Sequence, residues 1–199
     1  MDKNIVIKHD FKKYIKVFLE QNTKLNLISK NDEKFLFEKH VYDSLAIKLT
    51  NKMTAGKTLL DIGCGGGFPC IPIAIEYPDI NVIGIDSIRK KINAINEIKE
   101  KLQIHNLTTI CDRVENITGE TFDIITCRAV AKLPVIIEYA LPLLKKDGIL
   151  VAYKSKKAPE ELEMAKSVLS KYNGKVHSII EYTLPLDEIY HRNLIVIGF

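Results

Sequence analysis

The sequence predicts an α/β fold: a mostly parallel sheet of seven strands with helices on both faces, preceded by a helical extension. Three observations carry this. From Thr58 onward, runs rich in β-branched residues alternate with segments of helical period, and five such alternations imply a parallel sheet buried on both faces. The run Leu59-Leu60-Asp61-Ile62 leads directly into Gly63-Cys64-Gly65-Gly66-Gly67-Phe68-Pro69, so a buried strand passes through a glycine turn into a helix opened by Pro69. Ahead of that strand, residues 10–49 hold two amphipathic periods.

In chain order, residues 10–27 place Phe11, Tyr14, Ile15, Phe18, Leu19 and Leu25 on one helical face, with Asp10 as N-cap and Lys12, Lys13 and Lys16 opposite. Residues 32–49 repeat the period with Phe35, Leu36, Val41, Leu45 and Leu49, capped by Asn31 or Asp32. A loop over 50–58 follows. Strands are expected at 58–62, 82–86, 108–111, 122–127, 149–153, 176–184 and 193–198, and helices at 69–77, 87–103 with Ser87 as N-cap, 132–144 and 158–172. No helix separates the last two strands, which should therefore pair antiparallel. The chain divides into a helical extension, 1–57, and a sheet core, 58–199, within one domain.

Composition narrows the class. A chain of 199 residues suits one domain with a substantial core, and 46% hydrophobic with 27% charged residues is ordinary for a soluble protein. Apolar runs such as Ile71 to Ile75 are too short to span a bilayer, and the Lys-rich N-terminus has no apolar signal region, so a cytoplasmic protein without a membrane partner is expected. Cys64, Cys70, Cys111 and Cys127 show no C-x-x-C spacing and no paired histidines, so reduced thiols and no metal are expected. The net charge of +4 does not by itself mark a nucleic-acid binder.

Glycines let a backbone take positive φ and approach a ligand closely, which makes the turn a nucleotide-cofactor cradle. The dinucleotide pattern G-x-G-x-x-G would need glycine at 68, where the chain has Phe68. Gly63-Cys64-Gly65-Gly66-Gly67 instead resembles the first motif of Rossmann-like S-adenosylmethionine-dependent methyltransferases. Gly56-Lys57-Thr58 is no phosphate loop, since it precedes the strand and lacks the first glycine. In a parallel sheet the C-terminal strand ends share one rim. There Asp86 lies where a carboxylate accepts ribose hydroxyls, or else caps the next helix. Asp112, Arg113, Val114 and Glu115 follow the third strand, where such methyltransferases hold the adenine. Arg128 follows the fourth, and Lys154, Ser155, Lys156 and Lys157 follow the fifth. With Arg89, Lys90 and Lys91 they form a basic rim that suits phosphates, or a merely solvated face.

The resemblance extends beyond the turn. Asp61 to Pro69 with Pro72 and Ala74, Asn26-Leu27, His40 with Asp43-Ser44-Leu45, Asp86-Ser87, Arg113-Val114-Glu115, Arg128-Ala129, Lys154 and Arg192 together resemble the ribosomal RNA small subunit methyltransferase G family, also called glucose-inhibited division protein B, from about residue 22 to the C-terminus. The family implies a class I methyltransferase fold, S-adenosylmethionine as cofactor and methylation of a guanine N7 in 16S rRNA of the small ribosomal subunit. By motif position, Gly63, Phe68, Val114, Glu115 and Arg128 become cofactor contacts, joining Gly65 and Asp86 of the crevice. Arg128 would sit beside the methyl group as a positioning residue. Lys154, Lys156, Lys157 and Arg192 would hold the RNA. Cys70 and Ser155 stand where the family usually has glycine or another small residue. His40 could orient RNA or tie the extension to the core.

The implied chemistry is consistent with the residues. Guanine N7 attacks through a lone pair that carries no proton, so positioning suffices and no general base is required. Cys127-Arg128-Ala129-Val130 lacks the Asn/Asp-Pro-Pro-aromatic motif of exocyclic-amine methyltransferases. Cys70 could imitate a C5-methyltransferase nucleophile, but it lies on the cofactor side. The alternatives are a methyltransferase of another RNA or a small molecule, a nicotinamide-dependent oxidoreductase, for which no Tyr-x-x-x-Lys pair exists, and a non-catalytic RNA-binding module. A monomer is expected.

Overall fold

A computed structural model describes residues 5–199; the first four residues of the expected extension lie outside the described residues. Seven strands form one sheet in the order β3-β2-β1-β4-β5-β7-β6. β1 (Thr58–Ile62), β2 (Asn81–Ile85), β3 (Leu107–Ile110), β4 (Phe122–Arg128) and β5 (Leu144–Lys154) are parallel. β7 (Tyr190–Gly198) runs antiparallel between β5 and β6 (Lys175–Leu184), as the missing crossover helix requires. The order reverses at β1, between β2 and β4, and this is where an open α/β sheet splays to admit a ligand.

Two cores follow from the two-residue alternation of the strands. One face packs against α1 (Lys12–Leu25), α4 (Cys70–Glu76) and α5 (Arg89–Leu102), with Phe18, Leu59, Ile71 and Ile95 fully buried. The other packs against α6 (Leu133–Ala140) and α7 (Ala158–Lys171), through Leu60, Ile125, Ile137 and Leu150. The extension thus belongs to the first core. Gln21 reaches Glu97 of α5 at 2.6 Å.

The capping differs from expectation in informative ways. Asp10 lies one residue ahead of the N-cap position, which Phe11 occupies, and from there accepts the Lys12 N–H at 2.9 Å. Residues 32–49 form no continuous helix, however. Ser29 caps α2 (Lys30–Glu33), a wide π turn spans Phe37–Tyr42, α3 covers Asp43–Leu45, and a 3₁₀ turn Ala46–Thr50 closes the run. The wide turn rotates Asp43 and Ser44 inward, where both are fully buried. Asp86, not Ser87, accepts the Ile88 N–H ahead of α5. β5 begins five residues early, because α6 stops at Ala140 and Pro142 lies in a 3₁₀ turn beyond it.

Candidate active site

The glycine turn is built by backbone geometry. Gly63, Gly65 and Gly67 take φ of +65°, +55° and +93°. A Cβ on Gly63 would run into Val130, and one on Gly67 into Ile71, so these positions need glycine for space as well as angle. Asp61, fully buried beneath the turn, accepts the Thr126 hydroxyl at 2.9 Å and the Cys70 N–H at 3.1 Å. Burial outweighs those bonds and pushes its carboxyl up to about 7. From the next strand end, Asp86 reaches back to accept the Gly65 N–H at 2.9 Å. It therefore braces the turn and fixes the Ile88 N–H at once.

Over this turn opens a cleft of about 390 Å³ lined by Gly63, Asp86, Val114 and Glu115, with Asp112 and Arg113 beside them. Gly65 adjoins it through Asp86. Tyr139, on α6, closes the far wall; a lone tyrosine in an apolar helical period gave no signal of this in the sequence. Phe68 and Arg128 stand elsewhere. Phe68 leads into α4 on the extension side, where its ring lies 5.0 Å from Phe18 and 4.8 Å from His40. Arg128 faces the same side because it alternates with Cys127, which points into the opposite core.

Arg128 there donates to the Lys39 carbonyl at 3.2 Å and Asp43 at 3.0 Å, lies 3.1 Å from His40 Nδ1, and stacks over Phe68. Asp43 also accepts two bonds from Arg192 at 3.0 Å and the Tyr182 hydroxyl at 2.7 Å. Burial would raise the Asp43 carboxyl, but Arg192 and Arg128 outweigh it and hold it below the usual range. One carboxylate thus ties the extension to β4, β6 and β7. His40 lies in this network, its pKa lowered to about 4 by burial and Arg128, so it is neutral near pH 7.

Around Arg128 and Arg192 a second, smaller pocket of about 260 Å³ opens, walled by Asp32, Lys39, His40 and Tyr190 as well. Ala129, at φ +57°, lines both cavities. Lys154 is not part of a free rim: its amine is buried, donating to the Ala131 carbonyl at 2.9 Å and Glu161 at 2.6 Å. It alternates with Tyr153, whose hydroxyl bonds the Ser44 carbonyl on the other face. Lys156 and Lys157 are exposed. The Cys70 thiol, fully buried, is pushed up by that burial and by Cys64, the opposite of an activated nucleophile. Among the described residues, no three His, Cys, Asp or Glu side chains converge as a metal site, and no helix is long and apolar enough to cross a membrane.

Known structures share this architecture. YcgJ from Bacillus subtilis superposes with a TM-score of 0.61 at 15% identity, over 79% of this chain and 97% of that one. TYW2 from P. horikoshii, solved in complex with MeSAdo, gives 0.62 at 17% identity over 79% and 61%. At such identity these show the fold alone. Sequence relatives are nearer. Proteins named ribosomal RNA small subunit methyltransferase G are 38% identical in Bacillus licheniformis over 94% of this chain and 80% of theirs, and 39% identical in Staphylococcus saprophyticus over the same shares. The model of the family described as rRNA small subunit methyltransferase G (GidB) matches residues 7–190. With the turn, the cleft and the sheet order in place, the chain belongs to the rRNA small subunit methyltransferase G family.

Proposed function

We propose that this chain, acting as a cytoplasmic monomer, methylates the N7 of a guanine in 16S rRNA of the small ribosomal subunit with S-adenosylmethionine as donor. The observation that carries the reading is the cleft over the glycine turn, where Asp86 and the Val114–Glu115 pair face Gly63. The residues fit a nucleoside. Asp86 uses one lone pair of each carboxylate oxygen on Gly65 and Ile88, leaving acceptor capacity for ribose hydroxyls. Val114 offers an apolar wall for the adenine, and the Gly63 backbone lets the ligand approach closely. When bound, the cofactor supplies an activated methyl group and its own neutral leaving group.

The protein's part is orientation. The N7 lone pair carries no proton, so what the chain must do is hold the base in line, which proximity alone can make effective. Arg128 acts as a positioning residue through Asp43 and His40 instead of from the cleft wall. Lys156, Lys157 and the free edge of Arg192 hold RNA phosphates, while Lys154 orders the loop above α7 through Glu161. Two measurements test the reading. Equilibrium dialysis should show binding of S-adenosylmethionine and not of NAD. Ribosomal RNA from cells with and without the gene, cleaved by borohydride and aniline at N7-methylguanosine, should differ at one guanine; identical patterns would remove the assigned substrate.

A further inference from the structure

We propose that the second pocket, walled by Asp32, Lys39, His40, Ala129 and Tyr190, receives the guanine base itself, with the base stacked on Tyr190 and its N1–H and N2–H donated to Asp32. The proposal deepens the function above and rests on it.

Position comes first. Ala129 lines both this pocket and the cofactor cleft, so a base in one has its edge beside the other. The chemistry then fits guanine in particular. Asp32 Oδ1 accepts Lys39 at 2.8 Å and Oδ2 accepts Ser29 at 2.7 Å, and the same bonds hold its carboxyl below the usual range. Each oxygen keeps a lone pair, giving a bidentate acceptor for two parallel donors. Guanine's N1–H and N2–H are such a pair, whereas adenine would present a lone pair there. Anchoring that edge turns N7 away from Asp32, toward Ala129.

The pocket mouth matches as well. Tyr190 is 47% exposed, with the Lys39 ammonium 5.9 Å from its ring and 5.0 Å from that of Phe35, so the pocket mouth is an aromatic and cationic ledge of the kind unstacked bases use.

The test compares small-subunit RNA carrying guanosine or inosine at the modified position, prepared by ligation, with transfer of a labelled methyl group as readout. Inosine lacks only the N2 amine. Wild-type protein should methylate the guanosine RNA, which upholds the function, and the inosine RNA about ten- to a hundredfold more slowly. Asp32→Asn should lose a similar factor on guanosine and most of the distinction between the two RNAs, with cofactor binding by dialysis unchanged. Ser29→Ala, which removes the cap but leaves the carboxylate, should keep the distinction. Tyr190→Ala should slow guanosine RNA about tenfold while Tyr190→Phe does not. If wild type methylates both RNAs equally, or Asp32→Asn preserves the ratio, the pocket does not read the base, although the methyltransferase assignment stands.

Discussion

Gly65 illustrates how much a single residue decides. Its N–H must meet Asp86 from a left-handed backbone, yet a Cβ there would find only the Gly63 carbonyl oxygen, 3.7 Å away. Angle, not space, is the constraint. Gly65→Val should therefore cost about 1–3 kcal/mol and weaken cofactor binding sharply, while Gly65→Asn, which tolerates positive φ, should cost less; thermal unfolding and dialysis read both. Asp61 makes a different prediction. Its folded pKa of about 7 lies above the unfolded value of about 3.9, so the folded state retains a proton that the unfolded chain has lost. Its contribution is fully present below about pH 4 and is lost as pH rises toward 7. Asp61→Asn should flatten that part of a stability profile measured in urea; an unchanged slope would assign it to other groups. Asp61 and Asp86 were legible as acids at strand ends. Tyr139 and the placement of Arg128 were not, because a motif marks a strand end without saying which face the side chain takes.

Among elements, the extension and the C-terminal hairpin of β6 and β7 depend on one another through Asp43. Removing one partner of a buried pair leaves the other charges uncompensated, so Asp43→Asn should destabilise by about 3–5 kcal/mol. Here the sign is opposite to that of Asp61. The Asp43 carboxyl is depressed, so its stabilisation is present above about pH 4 and is lost as pH falls through the folded value. Hydrogen exchange should then show residues 37–50 opening first in acid. Arg128→Lys probes the same joint. The planar fork serves the Lys39 carbonyl, Asp43 and His40 together, which an ammonium cannot, so methyl transfer should fall while dialysis still detects the cofactor. Wild-type turnover in that variant would reduce Arg128 to a structural charge. The helical period of residues 32–49 was readable. Its break into α, π and 3₁₀ turns was not, since the demand that Asp43 and Ser44 face inward comes from strands more than 80 residues away in sequence.

At the scale of the whole molecule, the parallel sheet with its antiparallel edge was legible because alternation and a missing crossover determine it. The character of the rim was not, because Lys154, Lys156 and Lys157 look alike in sequence until burial separates them. Lys154→Ala should lower stability through the loss of its partner Glu161 and leave the salt dependence of RNA binding nearly unchanged. Lys156→Ala with Lys157→Ala should do the reverse, reducing the slope of log affinity against log salt by about 1.4, as expected for two lost single-strand phosphate contacts. A filter-binding series across salt distinguishes them. The placement of the two cavities along the chain carries a consequence for synthesis. Every wall of the cleft over the glycine turn comes from residues 62–139, but the smaller pocket joins residues 32–40 to residues 184–192. On a translating ribosome, where folding proceeds from the N-terminus, the pieces of the cleft all emerge well before the smaller pocket can close. On the proposal that the smaller pocket receives the base, a chain cut short before β6 and β7 lacks the walls that would present it, so methylation should await synthesis of residues 184–192.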